Sequence, residues 1–196
     1  MNELLNANKK YYERFDAYSR FLHILVITSF ISLALTGMII KFSGIGIFQT
    51  ISKMMGGYAV TGFIHRVAAI ITFIYFFLHI GYLFRKKRKK GVPLTSFLTG
   101  ENSLVPNKND LKELIATMKW FLGKGPRPQY GRWTYWEKFD YWAVFWGVAI
   151  IGSSGLILWF PEFFTNLVLP GVIINIATII HSDEALLAVG FIFTYH

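Results

Sequence analysis

The 196-residue chain contains no cysteine. That absence excludes disulfides, iron–sulfur clusters, zinc ribbons, thiol nucleophiles and covalent CxxCH haem attachment. Any redox centre must therefore be held without sulfur from Cys. Charge is scarce too: 16% of residues are Asp, Glu, Lys or Arg, where a water-soluble domain carries about a quarter. In their place, 54% of the chain is hydrophobic and 18% aromatic. Soluble, disordered and collagen-like classes are excluded together. The composition predicts an all-α protein: an integral membrane four-helix bundle forming a single membrane domain over residues 1–196.

A membrane span needs about 20 mostly apolar residues. Four segments qualify, at about 21–40, 59–84, 141–160 and 175–196, the last starting somewhere between Val172 and Ile179. The first reads as a span rather than a cleaved leader, because a polar stretch precedes it and no A-x-A-like site follows. The cationic residues sort by loop. Residues 1–20 hold four Lys/Arg and the 85–132 segment holds twelve, beginning with the run Arg85–Lys90. The 41–58 connection holds only Lys41 and Lys53, and the 161–171 connection holds none. By the positive-inside rule the N-terminus and the 85–133 loop are cytoplasmic. The net charge of +9 is thus a topology signal that meets anionic headgroups, with no nucleic-acid partner implied. The expected location is the bacterial cytoplasmic (inner) membrane, crossed several times.

Within the long loop, Leu111, Leu114, Ile115, Met118 and Leu122 recur at helical spacing. They predict a short amphipathic helix over 110–122 on the cytoplasmic interface, with Asn109 as N-cap and Gly123 as stop. Trp133, Tyr135, Trp136, Tyr141 and Trp142 then form an aromatic belt where the third span enters the membrane.

The two halves resemble each other. Ser19–His23 aligns with Glu137–Tyr141, Gly37 with Gly155, Phe42 with Phe160, and Ile64-His65 with Ile180-His181. This predicts two helical hairpins related by duplication. All five histidines, His23, His65, His79, His181 and His196, fall in or at the spans, where polar groups are costly and serve function. His65 and His79 are 14 residues apart, so they lie about 40° apart on one helix face and ~21 Å apart along it. His181 and His196, 15 apart, lie about 60° apart and ~22 Å along the axis. Facing helices would present two level pairs, each able to hold one bis-histidine haem b. His23 competes with His79 for the inner position. Gly37, Gly152, Ser153, Ser154 and Gly155 supply the small residues that close backbone approach needs.

These residues resemble a known group: the di-haem cytochrome b subunits that anchor membrane formate dehydrogenases and nickel–iron hydrogenases. Arg20-Phe21-Leu22-His23 with Thr36-Gly37 is similar to that family's first span, and Ile64-His65-Arg66 to the start of its second. Tyr135–Asp140 followed by Gly155-Leu156-Ile157-Leu158-Trp159 is similar to its third. His181–Ala188, ending at His196, resembles the fourth span of a related branch that serves multihaem cytochromes c. The resemblance implies an outer haem on His65 and His181, and an inner haem on His23 and His196. The extra His79 departs from that pattern, and its spacing resembles the cytochrome b of quinol–cytochrome c complexes, where the second and fourth spans supply both pairs. The inner haem is therefore either His79–His196 or His23–His196. A ligand at the last residue of a helix would fray, so at least another turn is expected beyond His196.

The resemblance implies two non-covalent haem b, a quinone as substrate or bound ligand, and a periplasmic cytochrome c or iron–sulfur subunit as partner. Arg66 would meet a haem propionate or Glu184, or snorkel to the outer interface. Asp183 and Glu184 lie at the surface if the fourth span starts near Ile179, and are buried if it starts at Val172. Lys138, Asp140 and Tyr141, level with the inner pair, are candidates for a quinone site, since a quinone carbonyl needs hydrogen-bond donors and its reduction needs protons. Two other functions use the same residues differently: a haem-free proton path along the histidines, and a passive membrane anchor for an enzyme. No loop is large enough for a catalytic domain, so any dehydrogenase or reductase chemistry belongs to another polypeptide.

Overall fold

A computed structural model of the chain describes residues 16–91, 93–100, 103–167 and 171–195. The elements are α1 (Ala17–Lys41), α2 (Gly46–Met54), α3 (Tyr58–Lys90), α4 (Leu94–Thr99), α5 (Lys108–Phe121), α6 (Tyr135–Trp159), α7 (Pro161–Leu167) and α8 (Val172–Tyr195), and the described residues contain no strand. The helices α1, α3, α6 and α8 are long and apolar enough to cross a membrane. The chain is a four-helix membrane bundle.

Each span outruns its apolar stretch for a local reason. α1 starts at Ala17 because the Asp16 carboxylate caps it, accepting from the Ser19 backbone N–H at 2.8 Å. The Tyr82 hydroxyl donates to the other Asp16 oxygen at 2.8 Å. These hydrogen bonds, led by Ser19, hold the Asp16 carboxyl down at about 2. α3 continues through the basic run, since Lys and Arg are good helix formers, and stops at Gly91, whose φ of +61° a side chain would resist. α6 begins at Tyr135 because Thr134 and Glu137 form a reciprocal capping box. α8 starts at Val172, the earlier of the two expected limits.

In the loop, α5 begins two residues earlier than its apolar spacing indicates. Its cap is Asn107, boxed with Asp110, and not Asn109, whose own backbone N–H bonds the Asn107 side chain. The carboxylate of Asp110 also takes Lys138 at 2.7 Å, in a pair with side-chain exposures of 8% for Lys138 and 10% for Asp110. Glu113 accepts from the Tyr135 backbone N–H at 3.3 Å, and Thr117 meets the Tyr130 hydroxyl at 2.8 Å. One face of α5 is thereby tied to the start of α6, while Leu111, Ile115 and Met118 are exposed on the other.

The spans form a ring in which α1 packs on α3, α3 on α6, α6 on α8, and α8 on α1. Packing is intimate within each hairpin, α1 with α3 and α6 with α8, and sparse between the hairpins. Among the described residues the fully buried apolar side chains are Leu22, Ala34, Ile39, Ala68, Tyr75 and Ala177. Large side chains such as Phe63, Phe77, Leu187 and Phe193 point outward, where acyl chains would cover them. At the end opposite the basic loop, Lys41 of α1 reaches Asp183 at 2.9 Å and the Ser182 hydroxyl at 2.8 Å on α8.

Candidate haem site

The ring order sets α3 and α8 on a diagonal of the bundle, and each carries a histidine to its centre. His65 and His181 face each other with ring centroids 6.2 Å apart and planes 77° apart. Hydrogen bonds fix both rings. The Thr36 hydroxyl donates its own proton to the Ser32 carbonyl at 2.6 Å, so its oxygen accepts from His65 Nδ1 at 2.9 Å. His181 Nδ1 lies 3.0 Å from the Ile151 carbonyl, which can only accept, and 3.4 Å from the Ser154 hydroxyl. Both imidazoles are therefore protonated on Nδ1, and the lone pair of each is on Nε2. That is the tautomer a metal-binding histidine uses.

A glycine is required at one of the two rings. A Cβ on Gly37 would lie 3.4 Å from His65 Cε1, and one on Gly155 only 2.9 Å from His181 Cε1. The duplicated register found in the sequence is thus a duplicated site. Thr36-Gly37 stands to His65 as Ser154-Gly155 stands to His181, and Phe42 and Phe160 cap the corresponding helices through equivalent i−4 backbone bonds, to Met38 and Leu156. Gly152 serves a different contact, facing Phe73 of α3 at 3.1 Å from where a Cβ would be.

At the basic end the arrangement differs. His79 Nε2 meets the Tyr141 hydroxyl at 2.9 Å, inside an aromatic wall of Tyr75, Phe145 and Tyr141. His23 lies on α1 at this level. Ser19–Tyr82 and Thr36–His65 contacts share one antiparallel register, which sets His23 opposite Leu78, next to His79 in the chain. His196 lies outside the described residues. Of the remaining candidates, Lys138 is committed to Asp110. Asp140 is half-buried beside Tyr141. Arg66 lies over the Trp159 ring, 5.8 Å from its centroid. Asp183, expected at the surface, is exposed despite the early start of α8 and is bound by Lys41. Sequence reasoning missed the Lys41–Asp183 and Lys138–Asp110 pairs, because nothing in one-dimensional spacing joins residues 142 and 28 positions apart.

The family model described as prokaryotic cytochrome b561 matches residues 3–100, half of the chain. The chain belongs to that family. The match spans α1 to α3, with His23, His65, His79 and Gly37, while His181, Ser154 and Gly155 lie beyond it on α6 and α8. No curated protein matches the chain, and no solved structure does. As a cytochrome b561 family member it is a prokaryotic membrane protein of electron transfer that uses haem b.

The residues on the diagonal suit such a group. His65 and His181, with rings 6.2 Å apart and each Nδ1 taken up by a hydrogen bond, are the residues that would hold the group. Packing between the hairpins is sparse, and a group liganded from both would enter there.

Proposed function

We propose that this cytochrome b561 family chain carries electrons across the membrane on two haem b groups, between a quinone at the basic-loop side and a periplasmic redox partner at the other. The observation that carries the reading is the diagonal pair His65–His181, each imidazole held with Nε2 as its lone-pair nitrogen. These two would hold the outer haem. His196, ~22 Å further along the fourth span than His181, would serve the inner one with His23 or His79. The Tyr141 hydroxyl on His79 Nε2 favours His23 as the fourth ligand. His79 and Tyr141 would then offer hydrogen bonds to a quinone carbonyl, with Asp140 beside them to pass protons.

Bound iron supplies a one-electron ferric–ferrous couple. The chain's own part is to orient the ligands, exclude water with a lipid-covered wall, and keep both sites in one insulated seam. The exposed Asp183, with half-buried Ser182 and Glu184 beside it, and the α2 and α7 helices form the face that would meet the periplasmic cytochrome c or iron–sulfur subunit.

The test is a reduced-minus-oxidised visible spectrum of the detergent-purified chain, with haem counted per polypeptide. Two haem b are expected. His65→Ala and His181→Ala should each lose the same one, and His196→Ala the other. Loss of the second haem in His23→Ala but not in His79→Ala assigns the fourth ligand; the reverse result assigns it to His79. A folded but colourless chain would sink the reading and return the histidines to a proton path.

A further inference from the structure

Two buried hydroxyls repeat at the same place in each half of the bundle. Thr36 is 2% exposed and Ser154 4%, and each directly precedes the glycine that faces a histidine. Serine and threonine within spans often bond back to a carbonyl one turn earlier and do nothing more. Both do bond back here, Thr36 to Ser32 at 2.6 Å and Ser154 to Ile150 at 2.8 Å. That bond uses up the hydroxyl proton, so the oxygen is left as an acceptor aimed at an imidazole Nδ1–H, at 2.9 Å for His65 and 3.4 Å for His181.

We propose that Thr36 and Ser154 are the positioning residues of the outer haem site, and that the hydrogen bonds they accept lower the reduction potential of the iron held there. An acceptor on Nδ1–H draws the ring toward imidazolate and makes Nε2 a stronger donor. A stronger donor favours ferric over ferrous iron, so the potential falls. The step concerned is one electron onto the iron, and neither imidazole gains or loses a proton in it. The two residues are unequal. His181 keeps the Ile151 carbonyl at 3.0 Å when Ser154 is removed, whereas among the described residues His65 Nδ1 bonds Thr36 alone. Thr36 should therefore matter more.

The inference rests on the haem reading above, and the experiment separates the two. The full haem-loaded chain is titrated spectroelectrochemically, and the outer haem is identified as the midpoint that disappears in His181→Ala. Thr36→Val keeps shape and burial but removes the acceptor. It should raise that midpoint by roughly a tenfold change in the ferric–ferrous equilibrium, ~59 mV for one electron. Thr36→Ser should restore it, and Ser154→Ala should raise it less. A Thr36→Val chain at full haem loading with an unmoved midpoint overturns the proposal. If Thr36→Val fails to fold, Ser154→Ala decides by the same criterion. A wild-type chain with no haem defeats the functional reading first. In that case nitrogen-15 NMR of the haem-free chain still tests the hydroxyls: Nδ1–H tautomers at His65 and His181 that Thr36→Val and Ser154→Ala disturb support them, and Nε2–H tautomers overturn them.

Discussion

At the residue scale, the site depends on what one glycine, Gly155, leaves out. In an ordinary helix interior Gly→Ala gains about 1 kcal/mol. At Gly155 the new methyl would stand 2.9 Å from His181 Cε1 and drive the ring out of line. Gly155→Ala should weaken binding of the outer haem by on the order of tenfold or more, read as haem retained through size exclusion. Gly37→Ala meets His65 at an ordinary 3.4 Å, and should keep its haem. Equal losses in both would contradict the geometry. Asp16 makes a separate prediction. Its carboxyl is held at about 2 by Ser19 and Tyr82, below the roughly 3.9 of an unfolded Asp. Its contribution is therefore complete above the unfolded value and is lost as pH falls toward the folded one. Amide protection factors at the start of α1, corrected for intrinsic exchange, should fall between about pH 4 and 2. Asp16→Asn, which still caps, should flatten that response, and Asp16→Ala should cost about 1 kcal/mol of local stability at neutral pH. The histidines and the glycines opposite them were legible in the sequence, because a polar or tiny residue inside an apolar run stands out. The acceptors Thr36 and Ser154 were only half legible: small residues were expected there, but not their bond to imidazole, which depends on how two helices rotate against each other.

Among the elements, α5 carries the clearest consequence of charge burial. Removing one partner of a buried ion pair leaves the other charge stranded and costs about 3–5 kcal/mol. Asp110 and Lys138 are both largely buried, so Asp110→Ala or Lys138→Ala should release α5 from α6. Limited proteolysis between residues 103 and 134 would detect it as new cleavage, with the spans intact. Replacing both partners with apolar residues should restore much of the protection, and failure to do so would mean that the charge itself is required. The amphipathic pattern of this helix was readable from Leu111 to Leu122. Its start was not, because Asn107 and Asn109 are equally good caps by composition and only Asp110, three residues after Asn107, closes a box. The Thr134-Tyr135-Trp136-Glu137 signature of the α6 start was present in the sequence but outweighed by the search for apolar residues, which placed the span six residues late.

For the whole molecule, the question is what joins the two hairpins. The Lys41–Asp183 bridge spans them, but with side-chain exposures of 29% and 65% solvent screens it and it contributes little. The other contacts across the seam are sparse, so a bound group liganded from both sides would be the main fastener. A ligand that binds only the folded state at 1,000 times its dissociation constant adds about 4.1 kcal/mol. Haem removal should accordingly lower the melting temperature by far more than Lys41→Ala does, measured by intrinsic tryptophan fluorescence during heating. A haem-free chain that melts like the loaded one would show that the hairpins hold themselves together. The architecture at this scale was the most legible part of all, since span number, loop charge and the duplicated register are statistical properties of long segments. The diagonal relation of α3 to α8 was not, because sequence order says which helices follow each other and not which ones face each other.

That diagonal also imposes an order on biogenesis. More than half of the chain separates His65 from His181, a gap of on the order of ten seconds at typical ribosome speeds. The first hairpin must wait in the bilayer with one imidazole ready and its partner not yet made. On the proposed ligation, cofactor capture across the diagonal can then only follow insertion of the last helix, so a chain that holds the outer haem is one whose synthesis has run past His181. Colour would report completed assembly, and a quality-control protease would meet the colourless, loosely joined hairpins first.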